Sequence, residues 1–509
     1  MSSINKSPVT PIPQPRWTTT SRQPRPRLTW RLILFSAPCL YMLYALYCII
    51  YGLPVLASPL PSYTGPHGVG AIDLEVPLPG GPRRVAEVVH KATGQPVFDV
   101  ETLLATVYYP TDRQFRSRKP RYPWIPRPIS LTAQGYARLA GIDNLLIRSI
   151  FTGVLWAVGG AVAIPAEVDA PLLLPNDNNN NTTTTTDAFP VTVFSHGDVS
   201  SRTDYTQFLA ELASRGHVII AIEHRDGSGP GSLVKSSASS PGRPVPPLRL
   251  SDIQSPSGLP TDFDRDGFKR AQLAFRDAEF HAAVDLLHAI NNGTPILNTR
   301  DPITTLPSWT GRLNMTHLTL AGHSFGATGA LQALTTTRST PPAAGVILDP
   351  GKSSGPLNPN VTVPILVVHS NSWSRTVSPF YNRPHFDTVR DLVRAVPAPS
   401  WFLTSIGTAH PSITDAPLLE PWLLSWTTGA TLNVHEALSE YVRVTDDFFH
   451  YVREGGERGI LGEKATHHLY DEWVSPERQR EFPPGLARLW QVHVTPVNQT
   501  RPMECPVEL

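Results

Sequence analysis

Apolar residues along this chain fall into three kinds of run, each predicting a different element. The first is a block: LILFSAPCLYMLYALYCIIY, residues 32–51, carries no charge. Twenty such residues in a helix span a hydrocarbon core of roughly 30 Å. The second is a short apolar run closed by a turn. It occurs in LLATVYYP (103–110), FPVTVFSHGD (189–198), HVIIAIEHRDGSG (217–229), and again at 317–321, 344–348, 363–369 and 401–406. The third is helical spacing, seen in 203–215, in 434–453, and in 268–291 through Leu273, Phe275, Phe280, Ala283, Val284, Leu287 and Ile290, with charges opposite. Apolar strands alternating with helices predict an α/β fold, a mostly parallel central sheet with helices on both faces.

The stretches between these runs suggest the domain layout. Residues 52–67 read as a Pro/Gly linker, and 68–455 as one catalytic-size domain. NDNNNNTTTTTD (176–187) and the Pro/Ser-rich 230–262 read as surface inserts, and 456–509 as an irregular extension. A further apolar patch in 136–164, including Leu145, Leu146, Ile147, Phe151, Leu155 and Trp156, fits core, lid or lipid-facing surface alike.

Charge sharpens the reading of the N-terminal block. Residues 1–31 contain Lys6, Arg16, Arg22, Arg25, Arg27 and Arg31 and no acidic residue. A basic Pro-rich flank before an apolar span predicts a cytoplasmic tail and a single-pass signal anchor, with the rest lumenal or extracellular. Cleavage after Val55-Leu-Ala57 would instead release a secreted protein, and a buried core helix is the third reading. Sequons at Asn180, Asn181, Asn292, Asn314, Asn360 and Asn498 fit a lumenal route. Of three cysteines, Cys39 and Cys48 lie in the apolar block and Cys505 stands alone, so no disulfide supports the domain internally. The net charge of +1 gives no field to attract nucleic acid.

The chemistry centres on LTLAGHSFGATGAL (318–331). An alternating strand runs into Gly-x-Ser-x-Gly and out into a small-residue helix, the pattern of a strained strand-to-helix elbow exposing Ser324. Gly322 and Gly326 leave room for the reversal. A serine needs a base to take its proton and an acid to orient that base, in the order Ser, acid, His for an α/β-hydrolase. Asp349 ends the apolar run GVILD before Pro-Gly, and is preferred to Asp387, Asp391 and Asp415. His410 lies in a loop straight after WFLTSI, and is preferred to His369, His385, His435 and His450. His323 is expected to point away from the elbow. The oxyanion donors are expected to be the backbone N–H of Phe325 and one from the turn Ser195-His-Gly-Asp198, where Asp198 can supply its amide. No metal or cofactor motif is found: there is no His-Glu-x-x-His, and His467-His468 read as surface residues.

Taken together these motifs resemble the platelet-activating factor acetylhydrolases of the plasma and intracellular type II kind. LATVYYP (104–110), WIP (124–126), FSHGDVSSRTDYTQFLAELASRGHVIIAIEHRDGSG (194–229), AGHSFGA, GVILD and GTAH (407–410) occur in order across roughly residues 68–455. The resemblance implies a calcium-independent serine esterase that removes a short or oxidised sn-2 acyl chain from a phospholipid at a membrane surface. It implies Ser324, Asp349 and His410 as the triad, and the Asp198 and Phe325 amides as the oxyanion hole. Asp198 departs from the hydrophobic residue usual in the family. A general carboxylesterase or polyester hydrolase is the alternative within the enzyme class, and a catalytically silent membrane binding protein the alternative outside it. Acyl length, head group and oligomeric state are not fixed by the sequence.

Overall fold

The computed structural model describes residues 30–174, 188–255, 263–303, 306–335 and 340–496. The charge-free block forms helix α1 (Trp30–Tyr51), which belongs to a unit of its own, separate from Leu53 onward. Its Leu34–Tyr51 stretch, with mean hydropathy 1.7, is the one helix among the described residues long and apolar enough to cross a membrane.

In the second unit ten strands form one sheet. They are β1 (Gly68–Pro77), β2 (Thr102–Thr111), β3 (Glu167–Val168), β4 (Phe189–Ser195), β5 (Val218–Ile222), β6 (Leu313–His323), β7 (Ala344–Leu348), β8 (Ile365–Ser370), β9 (Ser400–Ser405) and β10 (Trp490–Val494). Their order across the sheet is β10-β9-β8-β7-β6-β4-β5-β2-β1-β3. The strands from β5 to β9 are parallel, and antiparallel β2 and β10 flank them. Alternate strand residues enter two different cores. Val193, Ile220, Leu320 and Val367 pack on one face, and Phe194, Ala221, Ala321 and Val368 on the other. Burial of both faces is why these strands read as unbroken apolar runs.

Helices cover both faces. The first core receives Phe280 and Leu287 of α5 (Arg265–Asn291), Leu331 of α6 (Phe325–Ala333) and Val389 of α7 (His385–Ala395). The second receives Phe208 of α4 (Thr206–Ala213) and Phe448 of α9 (Val434–Glu454). From β4 the chain turns to one side to form β5, and β6 then takes the other side of β4. The carboxyl ends of β4 and β6 therefore border the crevice where the strand order reverses.

Three expectations about layout change. The apolar patch forms two further helices, α2 (Ile129–Leu139) and α3 (Leu145–Gly159). In α3 the core reading fails: Leu145, Leu146, Ile150, Val154 and Trp156 are exposed, and Gly159 alone is buried. The short helix α8 (Pro421–Thr428) likewise exposes Trp422 and Trp426. The extension after 455 is not irregular, because β10 closes the sheet on β9 and buries Trp490, Val492 and Val494. The linker is strapped down through Thr64 to Glu211, Gly65 to the Ser214 hydroxyl and Ser58 to Leu419.

Residues 1–29, the polar insert 176–187, part of the second insert (256–262), Asn180, Asn181, Asn498 and Cys505 lie outside the described residues. Asn292 and Asn360 are exposed, and Asn314 is half-buried.

Candidate active site

The elbow is built by steric necessity. Ser324 holds φ 57° and ψ −121°, between the end of β6 and the start of α6. A residue other than glycine in this region stores strain that the surroundings must enforce. A Cβ on Gly322 would lie 2.3 Å from the Gly326 carbonyl oxygen, and one on Gly326 2.0 Å from the Ser195 carbonyl oxygen. Only glycines let β6, α6 and the end of β4 meet here.

The structure brings Ser324, His410 and Asp349 together. His410 Nε2 lies 3.0 Å from Ser324 Oγ, and its Nδ1 lies 2.9 Å from Asp349 Oδ2. Asp349 follows β7 and also accepts the Ser370 N–H at 2.6 Å and the Ser370 hydroxyl at 2.7 Å. Burial alone would push its pKa up, but the neighbouring His323 and His410 imidazoles outweigh burial and hold it well below the usual carboxylate range. The competing acids sit elsewhere. Asp415 caps α4, accepting the Thr206 and Gln207 N–H groups at 2.9 Å each, and burial pushes its pKa up to about 7. Asp387 and Asp391 pair with Arg390 on α7.

The predicted oxyanion loop runs directly past Ser324, since a Cβ on Gly197 would lie 3.1 Å from Ser324 Cβ. Its backbone is pinned in turn. The Gly197 N–H donates to the Tyr205 hydroxyl at 3.1 Å, and His196 Nδ1 donates to the Gly197 carbonyl at 2.8 Å. Arg276 Nη1 donates to the His196 carbonyl at 2.6 Å. His196 Nε2 accepts the His224 N–H at 3.1 Å, which fixes Nδ1 as the protonated nitrogen. Burial lowers the pKa of His196 to about 4, so it stays neutral. Asp198 is the next residue on this fixed loop, and Phe325 opens α6 just after Ser324. A cleft of about 260 Å³ lies above, lined by Ser324, His410, Asp198, Trp124 and Tyr136 among others.

Two arrangements escaped the sequence reading. His323 does not turn away: its Nδ1 lies 2.8 Å from the Tyr205 hydroxyl, and its ring stands 4.4 Å from that of His410. Its Nε2 is 3.9 Å from Asp349 Oδ2, too far for a hydrogen bond. Burial, followed by the nearby His410, lowers its pKa to about 4. The second is another Ser–His–acid chain: Ser195 Oγ lies 2.6 Å from His224 Nε2, and His224 Nδ1 2.5 Å from Glu279. All three residues are buried, and Arg276 Nη1 also donates to Ser195 Oγ at 3.1 Å. With no opening to solvent, this chain braces the oxyanion loop rather than meeting a substrate. Its sequence signal was present in Gln272, Arg276 and Glu279, polar residues spaced along one face of α5.

An elbow at the switch point of a mostly parallel sheet, with a histidine and a buried carboxylate converging on its serine, defines the α/β-hydrolase class. Within that class the chain belongs to the family described as platelet-activating factor acetylhydrolase, isoform II, carboxylic ester hydrolases whose match spans residues 56–444. It is 26% identical over 298 residues to the platelet-activating factor acetylhydrolase of Cavia porcellus, covering 58% of this chain and 56% of that protein. It is 29% identical over 193 residues to the protein of the same name from Canis lupus familiaris, covering 36% of this chain and 40% of that one. The chain thus spans about half the length of the curated relatives it matches. A solved ferulic acid esterase from Streptomyces cinnamoneus shares the fold, with a TM-score of 0.50 and 19% identity over 81% of this chain and 96% of the esterase.

Proposed function

We propose that this chain is a serine esterase that hydrolyses the short or oxidised sn-2 acyl ester of platelet-activating-factor-like phospholipids. The observation that carries the reading is the His410 Nε2 to Ser324 Oγ contact of 3.0 Å, on the strained elbow beside the oxyanion loop. In the reaction His410 takes the Ser324 proton as Oγ attacks the ester carbonyl, and Asp349 holds the imidazole through Nδ1 and stabilises its charge. The Asp198 and Phe325 N–H groups receive the oxyanion. The intermediate collapses with loss of the lysophospholipid, which takes its proton from His410. Water, activated by the same imidazole, then releases the acid from Ser324.

Three features support a lipid ester over other esters. The family's named members act on platelet-activating factor. The cleft of about 260 Å³ falls just below the usual range of ligand sites, roughly 300 to 1,000 Å³, and so suits a short acyl group. Exposed apolar residues of α3 and α8, Leu145, Leu146, Trp156, Trp422 and Trp426, suit a lipid surface. Helix α1 then serves as a signal anchor that holds the catalytic unit on the lumenal or outer side of a membrane.

The test is acetate release from an alkyl-acetyl-glycerophosphocholine by the full chain, beside a long-chain phosphatidylcholine and the Ser324→Ala variant. Rapid release from the acetyl lipid, lost by about 10³-fold or more in the variant, is expected. Cleavage of a soluble short ester with neither lipid attacked would replace this reading with a general carboxylesterase.

A further inference from the structure

Asp198 poses an electrostatic problem. A carboxylate on the residue whose amide is to receive an oxyanion opposes the charge that develops there. The answer lies on α5, where Lys269 shares a helical face with Gln272 and Arg276. Lys269 Nζ lies 3.7 Å from Asp198 Oδ2 and 4.4 Å from the centroid of the Phe325 ring. Arg276, two turns on, sets its guanidinium 4.2 Å from the same ring and donates to the His196 carbonyl. The ammonium of one mostly buried side chain thus lies in ion-pair range of the Asp198 carboxylate, itself 46% exposed, and over the ring of Phe325, the two residues assigned to the oxyanion, and a second cation holds the elements they sit on.

We infer that Lys269 is a positioning residue for the esterase reaction: it neutralises the Asp198 carboxylate and ties the oxyanion loop to the first residue of α6. The inference rests on the reading of Ser324 as an ester-cleaving nucleophile, not on the phospholipid substrate. Two physical effects act together. The ion pair cancels the field that Asp198 would direct at the oxyanion, and the cation–π contact keeps Phe325, hence its amide, in register with the loop. Both act on the transition state, so Lys269 bears on kcat and hardly on KM.

The test is a double-mutant cycle on the full chain, with p-nitrophenyl acetate as substrate and fluorophosphonate labelling of Ser324 as the check on folded sites. Lys269→Met is expected to lower kcat by about tenfold or more, with KM within about twofold. Lys269→Arg, which keeps the cation, should recover most of that loss. The decisive variant is Asp198→Asn combined with Lys269→Met. With the carboxylate gone the lysine is less needed, so the double variant should turn over severalfold faster than Lys269→Met alone. A purely structural lysine would give a double variant no faster than the single, and that result overturns the inference, as does an unchanged kcat in Lys269→Met. If the methionine variant fails to fold, Lys269→Gln takes its place in the same cycle. A wild-type chain that neither labels nor turns over would overturn the esterase reading, and this inference with it. Labelling and turnover with no Lys269 effect would overturn the inference alone.

Discussion

Trp373 lies face to face with the His410 imidazole, ring centroids 3.7 Å apart and planes 8° from parallel. Its Nε1 donates to the Pro350 carbonyl at 2.8 Å, one residue beyond Asp349, and Lys352 Nζ sits 4.4 Å from its ring centroid. The indole therefore ties the His410 ring to the strand end that carries Asp349. His410 is half-buried in a short turn after β9, and its two hydrogen bonds alone leave the ring free to tilt about the line joining them. Stacking removes that freedom. Trp373→Leu should lower kcat by about tenfold through a misplaced imidazole, with KM little changed, while Trp373→Phe keeps a flat ring and much of the rate. Steady-state kinetics on a short soluble ester read both values. The meeting of Ser324, Asp349 and His410 was the most legible part of the sequence, because motif, strand end and chain order all constrain them. Trp373 was not legible, because a ring that stacks across a loop leaves no spacing signal.

Helix α5 shows how an element can carry both core and site. Its apolar positions pack as the spacing predicts, with Phe280 and Leu287 against the sheet. The charges do not all face water, however, since Arg276 and Glu279 are fully buried. Arg276 bonds Asp226 at 2.8 Å, Ser228 at 2.7 Å, Ser195 at 3.1 Å and the His196 carbonyl at 2.6 Å. Removing it leaves the Asp226 carboxylate buried without its cation and the oxyanion loop without its anchor. Arg276→Met is therefore expected to cost about 3–5 kcal/mol of stability, read by denaturant unfolding, a penalty typical of breaking a buried pair. Periodicity found α5 and set its charges opposite the apolar positions, but amphipathic patterns carry no mark of a buried ion pair. The same limit explains α3, whose apolar face read equally as core or as exposed surface. It explains β10 too: five residues, WQVHV, were too short to stand out in a polar tail until β9 supplied their partner.

Across the whole molecule the buried titratable groups set an acid limit. Burial lowers the pKa of His196, of His323 and of His467, which was expected at the surface but is buried, to about 4 and of His369 to about 3, and it holds His224 and His493 well below the ordinary imidazole value. Between pH 6.5 and about 4 each of these binds a proton in the unfolded chain but not in the native one. By linkage, stability then rises with pH across this window and is lost on acidification. Buried acids act in the opposite sense. Asp204, raised to about 6, Asp415, raised to about 7, and Glu279, raised well above its usual value, hold protons in the native state that the unfolded chain has released. Counting also the lowered His67, His317 and His385 and the raised Glu420 and Asp447, lowered histidines outnumber raised acids among the described residues, so the unfolded chain binds the excess protons and the net slope is positive. The melting temperature should therefore fall as pH is lowered from 6.5 to 4.5, followed by calorimetry at constant ionic strength. His196→Asn, which removes one of these contributors while keeping hydrogen-bonding capacity at the loop, should flatten that dependence. A melting temperature that rises toward pH 4.5 would mean that the acids dominate, and that the histidines near the site are already charged in the folded protein.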